Sequence, residues 1–323
     1  MDVALDVARL LFGGLVLYVG AEWLVKGSAG LARAYGVKPL VIGLTVVAYG
    51  TSAPELAVST IAAVDGKPAI VVGNVVGSCI ANLGLILGVT ALISPPAVDA
   101  RLIKREVPVL LLSVAVVPLV VWASGIAWWE GLLLFAASVA FTVWTLSVEA
   151  GVNVPAADEI EATAEIAGAP SGSGKARMYA VTAAGMALLI GGGDVFVDGA
   201  VGVARSLGMT ERVVGLTIIA VGTSLPELAA SLVAALRGHA DIAVGNVVGS
   251  NIFNVFLILG IVPMVRHLDV SLASVAGDLY FLAGVTLLGA FTMRGDRRVT
   301  RVEGALLAAA YLAFLAFAFG KTG

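Results

Sequence analysis

Residues 50–55 read Gly-Thr-Ser-Ala-Pro-Glu and residues 222–227 read Gly-Thr-Ser-Leu-Pro-Glu, each within a long apolar stretch. The same offset of 172 residues carries Gly-Asn-Val-Val-Gly-Ser at 73–78 onto the identical hexapeptide at 245–250. Ionisable residues at membrane depth are costly and usually mark an ion or substrate path. Two matching copies in which Gly and Pro interrupt an apolar segment are typical of a transporter's binding site. The pattern predicts a membrane protein that moves a cation.

The composition excludes an ordinary soluble protein. Of the 323 residues, 59% are hydrophobic and 13% are charged, and the mean hydropathy is +1.03. The net charge of −3 gives no indication of a nucleic-acid partner, and the single Cys79 cannot form an intrachain disulfide. The acidic N-terminus lacks the features of a cleavable signal, so we expect all 323 residues in the mature protein.

The chain is predicted to be an all-α protein with ten membrane spans, since a bilayer core of about 30 Å requires about 20 apolar residues per helix. Two five-span halves, 1–147 and 177–323, flank an acidic segment, 148–176, which we expect to be a flexible cytoplasmic linker. The predicted spans are 4–25, 39–63, 68–94, 106–123, 126–147, 178–203, 212–236, 241–265, 273–292 and 302–320.

The two halves are copies of one sequence. Residues 43–60 and 215–232 are identical at twelve of eighteen positions, and the matches include Gly, Ser, Thr, Pro and Glu as well as apolar residues. Because each half has an odd number of spans, the second copy is expected to lie inverted in the membrane. The predicted loops on one side hold thirteen Lys and Arg residues and those on the other hold five. This bias predicts a multi-pass protein of the cell membrane with both termini outside.

Spans two and seven are predicted to break at Pro54 and Pro226, because proline removes an amide donor and clashes with the carbonyl four residues back. Carbonyl oxygens freed at such a break need a partner inside the membrane, and a bound cation is one. All the candidate ligands present hard oxygen atoms, which suit sodium or calcium rather than zinc or copper. They are the carboxylates of Glu55 and Glu227, the hydroxyls of Ser52, Ser224, Ser78 and Ser250, the amides of Asn82 and Asn254, and carbonyls near Ala48, Thr51, Ala220 and Thr223.

The paired Gly-Thr-Ser-x-Pro-Glu segments and the Gly-Ser-x-x-x-Asn segments that follow them resemble the alpha repeats of the calcium/cation antiporter superfamily. Its prokaryotic sodium/calcium exchangers are the nearest match. The resemblance implies a secondary antiporter that exchanges sodium for calcium by alternating access, and that is electrogenic if three sodium ions replace one calcium. It also implies where the transported ions bind. Calcium would be held by Glu55, Glu227 and the carbonyls of Thr51 and Thr223; sodium would be held by the glutamate pair with Ser78 and the Ala48 carbonyl on the inner side, and with Ser250 and the Ala220 carbonyl on the outer side.

Two positions depart from the pattern of the superfamily or of the repeats. Asn254 stands where potassium-dependent members carry Asp, so potassium-independent exchange is favoured. Cys79 occupies the position of Asn251 in the other repeat, and we assign it no ligand role. A calcium/proton or other cation antiporter of the same superfamily and a passive cation channel stay open as alternatives.

An enzyme is not expected, because the only histidines fall in predicted loops and leave a serine nucleophile without a base. No cofactor is expected, and one chain is expected to be the transport unit. Three acidic residues of the first helix of each repeat, Glu22, Asp194 and Asp198, are candidates for lining the path, although we expect them to pair with Lys26 or with helix ends. Asn74 and Asn246 are expected to form interhelical hydrogen bonds rather than bind ions.

Overall fold

The computed structural model describes residues 3–122, 125–150, 172–209, 220–294 and 298–321, and over these ranges the all-helical prediction is confirmed. Among the described helices, eight are long and apolar enough to cross a membrane; α4, which begins with charged residues, and α7, described over twelve residues, are not among them. A helical turn, Ala220–Gly222, precedes α7. The helices are α1 Val3–Tyr35, α2 Pro39–Val64, α3 Pro68–Ile93, α4 Ala100–Val121, α5 Trp128–Ala150, α6 Gly172–Ser206, α7 Leu225–Leu236, α8 Ala240–Val265, α9 Leu272–Arg294 and α10 Arg301–Lys321.

The helix ends differ from the predicted spans in three places. Helix α1 continues well past residue 25, because small residues beyond Lys26 keep it packed on α6. Helix α4 begins at Ala100, where the Asp99 carboxylate caps it by accepting a hydrogen bond of 2.7 Å from the Arg101 amide. Helices α5 and α6 occupy 148–150 and 172–176 of the predicted linker. The rest of that linker, 151–171, and the first residues of predicted span seven, 212–219, lie outside the described residues.

Asp99 also joins the starts of two helices. Its carboxylate accepts a hydrogen bond of 2.7 Å from Nζ of Lys38, the residue before α2. Partial burial would raise the pKa of Asp99, but the hydrogen bonds from Lys38 and Arg101 outweigh it, and the pKa is lowered. The contact places the start of α2 beside the start of α4.

Helices α1 and α6 pack against each other along a line of glycines. A Cβ atom built on Gly20 would lie 2.8 Å from the amide nitrogen of Leu189, and one built on Gly192 would lie 2.9 Å from the amide nitrogen of Leu17. The two backbones can approach this closely only because glycine has no side chain. The line comprises Gly13, Gly20 and Gly27 on α1 and, 172 residues later, Gly185, Gly192 and Gly199 on α6.

The contacts of this line show that α1 and α6 run antiparallel. Gly13, near the start of α1, meets Phe196 in the second half of α6, whereas Gly27 meets Thr182 in its first half. The repeat offset also exchanges the contacts, since Gly20 against Leu189 becomes Gly192 against Leu17. The same surface is therefore used by both helices, as in an isologous two-fold contact.

Loops of the two halves pair in the same reciprocal way. Ile126 exchanges backbone hydrogen bonds of 2.9 and 3.2 Å with Leu268, and Ala97 forms an antiparallel bridge with Arg298. The offset of 172 residues carries Ile126 onto Arg298, and carries Ala97 to within one residue of Leu268. The helices follow the same rule, because α3 packs on α10 while α8 packs on α5.

The glycine line offers a matched test of helix packing. Gly192→Ala is expected to lower the melting temperature in detergent, because its Cβ would meet the α1 backbone at 2.9 Å and overpacking costs about 1–3 kcal/mol. Gly191→Ala is the control, since a Cβ there meets nothing within 4 Å. An equal melting temperature for the two variants would contradict the close approach of α1 and α6.

Candidate functional site

Helix α2 and the segment leading into α7 break at equivalent serines. Ser52 has φ −81° and ψ 2°, and Ser224 has φ −91° and ψ 6°, so both depart from helical ψ. The helix resumes immediately, and the prolines stand in its first turn, where a missing amide donor is tolerated. The next residues, Glu55 and Glu227, therefore lie in the first turn of a new helix, where the helix dipole favours negative charge.

The break leaves fewer free carbonyls than the prolines alone predicted. The Ser52 amide donates a hydrogen bond of 3.1 Å to the Ala48 carbonyl, so this oxygen is not freed. Its second lone pair is the one that a cation can use. The Ser224 amide donates at 3.1 Å to the carbonyl of Val221. Of Ala220, only the backbone is described.

Each glutamate faces hydroxyl groups from the other repeat. Ser224 Oγ donates to Glu55 Oε1 at 3.4 Å, and the Thr223 hydroxyl also faces Glu55. Thr51 and Ser52 face Glu227 in the same way, although neither oxygen of Glu227 has a hydrogen-bond partner of normal geometry. The structure thus brings both carboxylates and four of the predicted hydroxyl residues to one place.

Two asparagines hold this arrangement together, as expected from the sequence. Asn74 Nδ2 donates to Ser59 Oγ at 3.0 Å and to the Glu55 carbonyl at 3.2 Å. Asn246 Nδ2 donates to Ser231 Oγ at 3.0 Å and to the Glu227 carbonyl at 3.5 Å. These bonds tie α3 to α2 and α8 to α7 at the residues that carry the charge.

Asn246 has a second role that the sequence did not reveal. Its Oδ1 accepts a hydrogen bond of 3.2 Å from Thr51 Oγ1, which lies 3.5 Å from Ser250 Oγ. Both contacts join α2 of the first repeat to α8 of the second. The only sequence signal is that Asn246 belongs to the duplicated hexapeptide, and this does not indicate a partner in the other repeat.

Asn82 and Asn254 each begin a π-helical turn, Asn82–Ile86 in α3 and Asn254–Ile258 in α8. The turn at Asn82 packs against α7, which carries Glu227, and the turn at Asn254 packs against α2. π-Turns inside helices are frequent at functional sites. The amide of Asn254 also faces Cys79, whose thiol lies 3.7 Å from the carbonyl of its repeat equivalent, Asn251.

The site is fully buried and rich in polar atoms that lack a partner. Glu55 and Glu227 are both 0% exposed. Among the described residues, no Lys or Arg side chain pairs with either carboxylate, and the charge that acts on Glu227 is that of Glu55. Leaving such atoms unpaired costs about 1–3 kcal/mol each and more for a charged group. The unpartnered atoms of the predicted ligands are Ser52 Oγ, Glu55 Oε2, both oxygens of Glu227 and both amide atoms of Asn82 and Asn254.

Ser78 and Ser250 are likewise buried, in line with their predicted place in the core, and Thr223 is partly exposed at the edge of the site. Within the described ranges, no group of three His, Cys, Asp or Glu residues gathers anywhere. The donor set therefore consists of two carboxylates, hydroxyls, amides and carbonyls. Such oxygen ligands suit sodium and calcium.

The acidic residues of α1 and α6 do not pair as the sequence analysis expected. Glu22 bonds Arg237 at 2.6 Å rather than Lys26. Asp194 and Asp198 have no ion pair or hydrogen bond to the described residues, and both line a cavity of about 540 Å³ next to the helix breaks. The expectation of structural pairing is therefore wrong for these two aspartates, and the alternative, that they line a path, is favoured.

Comparisons with known proteins agree over almost the whole chain. The family model described as sodium/calcium exchanger protein matches residues 5–147 and 178–320. The putative antiporter CaxA of Alkalimonas amylolytica is 40% identical over 307 residues, which is 93% of this chain and 95% of CaxA. The sodium/calcium exchanger MaX1 of Methanosarcina acetivorans is 33% identical, with 98% of this chain and 99% of MaX1 covered. The solved structure of the sodium-calcium exchanger NCX_Mj matches with a TM-score of 0.83 at 33% identity, covering 97% of this chain and 99% of that one.

Neutralising either glutamate is expected to abolish calcium binding, because each Gln variant leaves one negative charge for a divalent ion in a fully buried site. Calorimetry on Glu55→Gln and Glu227→Gln in detergent measures this directly. Glu22→Gln is the control, since it removes an acidic group that pairs with Arg237 outside the site. Wild-type calcium affinity in either site variant would show that the assignment is wrong.

Proposed function

The chain belongs to the sodium/calcium exchanger protein family, and we propose that it exchanges sodium for calcium across the cell membrane at one site shared by the two ions. The site lies between the broken segments of α2 and α7 and the π-turns of α3 and α8. Glu55 and Glu227 supply its formal charge. The two ions compete for the same oxygens, so binding of one excludes the other.

One observation carries this proposal. Two carboxylates that are 0% exposed face each other's repeat without a cationic partner among the described residues. Burial of an unpaired charge costs several kcal/mol even after relaxation, so the two charges are retained for a mobile cation. One calcium ion neutralises the pair, and sodium ions neutralise it in another way. The remaining predicted ligands complete the shell: Thr51, Thr223, Ser52, Ser224, Ser78, Ser250, Asn82, Asn254 and the carbonyls of Ala48 and Ala220.

We propose that the fold is an inverted repeat of two five-helix halves, 1–147 and 177–323. The antiparallel contact of α1 with α6 supports this, because a two-fold axis that relates antiparallel helices runs perpendicular to them, within the membrane plane. The reciprocal loop pairs and the crossed glutamate contacts obey the same exchange. The family model also matches each half in turn. Such symmetry supports alternating access, since exchanging the conformations of the halves reverses the side that is open.

Charge counting makes the exchange electrogenic. If three sodium ions replace one calcium, as the family resemblance implies, the loaded site carries about +1 with sodium and about 0 with calcium. Each net charge moved is worth about 2.3 kcal/mol per 100 mV. The distribution of Lys and Arg favours both termini outside, and the whole site is built from one chain, so a single chain suffices as the transport unit.

Calcium uptake into proteoliposomes tests the function. Vesicles loaded with sodium and diluted into sodium-free, potassium-free buffer are expected to accumulate calcium, and uptake should accelerate when the interior is made negative for sodium efflux to be opposed less by the inward calcium charge. With one net positive charge leaving per calcium, a positive interior set by an impermeant-anion gradient accelerates uptake and a negative interior slows it.

Three outcomes would contradict the proposal. Calcium entry without any counter-ion gradient would indicate a passive channel. Uptake driven by a proton gradient and indifferent to sodium would indicate a calcium/proton antiporter. Uptake driven by sodium but indifferent to membrane potential would rule out the three-to-one exchange while leaving sodium/calcium antiport intact.

A further inference from the structure

The cavity of about 540 Å³ lies between α6 and both helix breaks. Its wall includes Pro54 and Pro226, each the residue immediately before a site glutamate, and Thr223, whose hydroxyl faces Glu55. Helix α6 passes close to the second break, since a Cβ built on Gly193 would lie 3.9 Å from Cδ of Pro226. The cavity therefore adjoins the helix turns that carry both buried carboxylates.

The charge of this cavity comes from α6. Asp194 and Asp198 both line it and stand four residues apart, which is about 6 Å along one face of a helix. Among its described lining residues there is no Lys, Arg or His, and the others are apolar, small or hydroxyl-bearing. A negative cavity with low-dielectric walls concentrates cations.

The two carboxylates have a position that fits water and not lipid. Each is exposed, and neither bonds a described residue, whereas α6 turns its glycine line and Leu189 towards α1. An unpaired Asp at membrane depth is costly unless it faces water. The opposite side of α6 thus presents two hydrated negative charges to the approach to a site that contains the unpartnered oxygens of Glu227.

We propose that Asp194 and Asp198 form an electrostatic vestibule that attracts the cations to the Glu55–Glu227 site from the side of the membrane on which α2 ends. This inference rests on the proposed function and adds residues that determine ion selectivity in the approach step. The vestibule binds no ion tightly. It raises the local concentration of cations, and more for calcium than for sodium, because the interaction energy is proportional to the charge of the ion.

The valence argument gives a quantitative expectation. At low ionic strength, each Asp→Asn change is expected to raise the KM for calcium roughly three- to fivefold and the KM for sodium roughly twofold. The logarithm of the change for calcium is therefore twice that for sodium. The maximal rate stays constant, because neither residue belongs to the ion site. In about 0.5 M of an inert salt, where the Debye length falls to about 4 Å, the differences should largely disappear.

The experiment measures exchange in oriented vesicles for Asp194→Asn, Asp198→Asn, the double variant and Asp198→Lys. The KM is expected to rise in that order of charge removed, only for ions supplied from the side of the cavity. Asp269→Asn is the matched control, because Asp269 is an exposed aspartate in the loop after α8 that does not line the cavity. Wild-type exchange is measured first, so a wild-type protein without exchange refutes the proposed function and not the vestibule alone.

With an active wild type, the outcomes divide cleanly. A salt-sensitive, one-sided rise in KM with the twofold ratio of logarithms supports the vestibule. An unchanged KM overturns it, and so does a change that persists in high salt or is equal for the two ions, since that is the mark of a structural effect.

A second measurement does not depend on transport. The only cysteine of the chain, Cys79, is buried, so Asp198→Cys introduces a single accessible thiol. A cationic, membrane-impermeant thiol reagent should label it from the cavity side, and the Asp194→Asn change should slow that labelling. Absence of labelling, or labelling rates that ignore Asp194, would show that the cavity is not a negatively charged aqueous approach.

Discussion

Two carboxylates held together in a membrane core, without a cationic side chain to neutralise them, are the constraint on which this structure depends. Glu55 and Glu227 are fully buried, and one acts electrostatically on the other. Such a pair is tolerable only when mobile cations balance it. The helix breaks, the crossed hydroxyls and the unpartnered amides around the pair all serve that balance, since they supply neutral oxygen ligands without adding fixed charge.

The repeat solves a geometric problem that one helix pair cannot. Each glutamate is carried by its own repeat but faces hydroxyls of the other, so neither half contains a complete site. The antiparallel glycine line of α1 and α6 and the paired loops relate the halves by the same exchange. A site at the boundary of two equivalent halves can be opened to either side by equivalent movements. Asp194 and Asp198 break the equivalence, because the first repeat has Glu22, paired with Arg237, at the position of Asp194.

Much of this could be predicted from the sequence, because the duplicated motifs combine charge, helix-breaking residues and membrane depth. The all-helical fold, the span positions in the middle of each half and the burial of both glutamates follow from those patterns. The end of α1 did not, since Lys26 and Arg33 look like a loop until the glycine packing on α6 is known. The Thr51–Asn246 bond and the missing partners of Asp194 and Asp198 depend on how the halves pack together, and local spacing carries no information on that. The Ala48 carbonyl shows a similar limit, because the break is closed by an amide that only the observed dihedral angles reveal.

The central claim is that calcium and sodium share one site whose charge is that of two glutamates. The direct test is equilibrium calcium binding to the purified protein at increasing sodium concentration. The apparent calcium affinity is expected to fall without limit as sodium rises, with a dependence steeper than first order, because more than one sodium ion must leave for each calcium bound. A calcium affinity that reaches a plateau at high sodium would mean that both ions bind together, and would contradict the shared site.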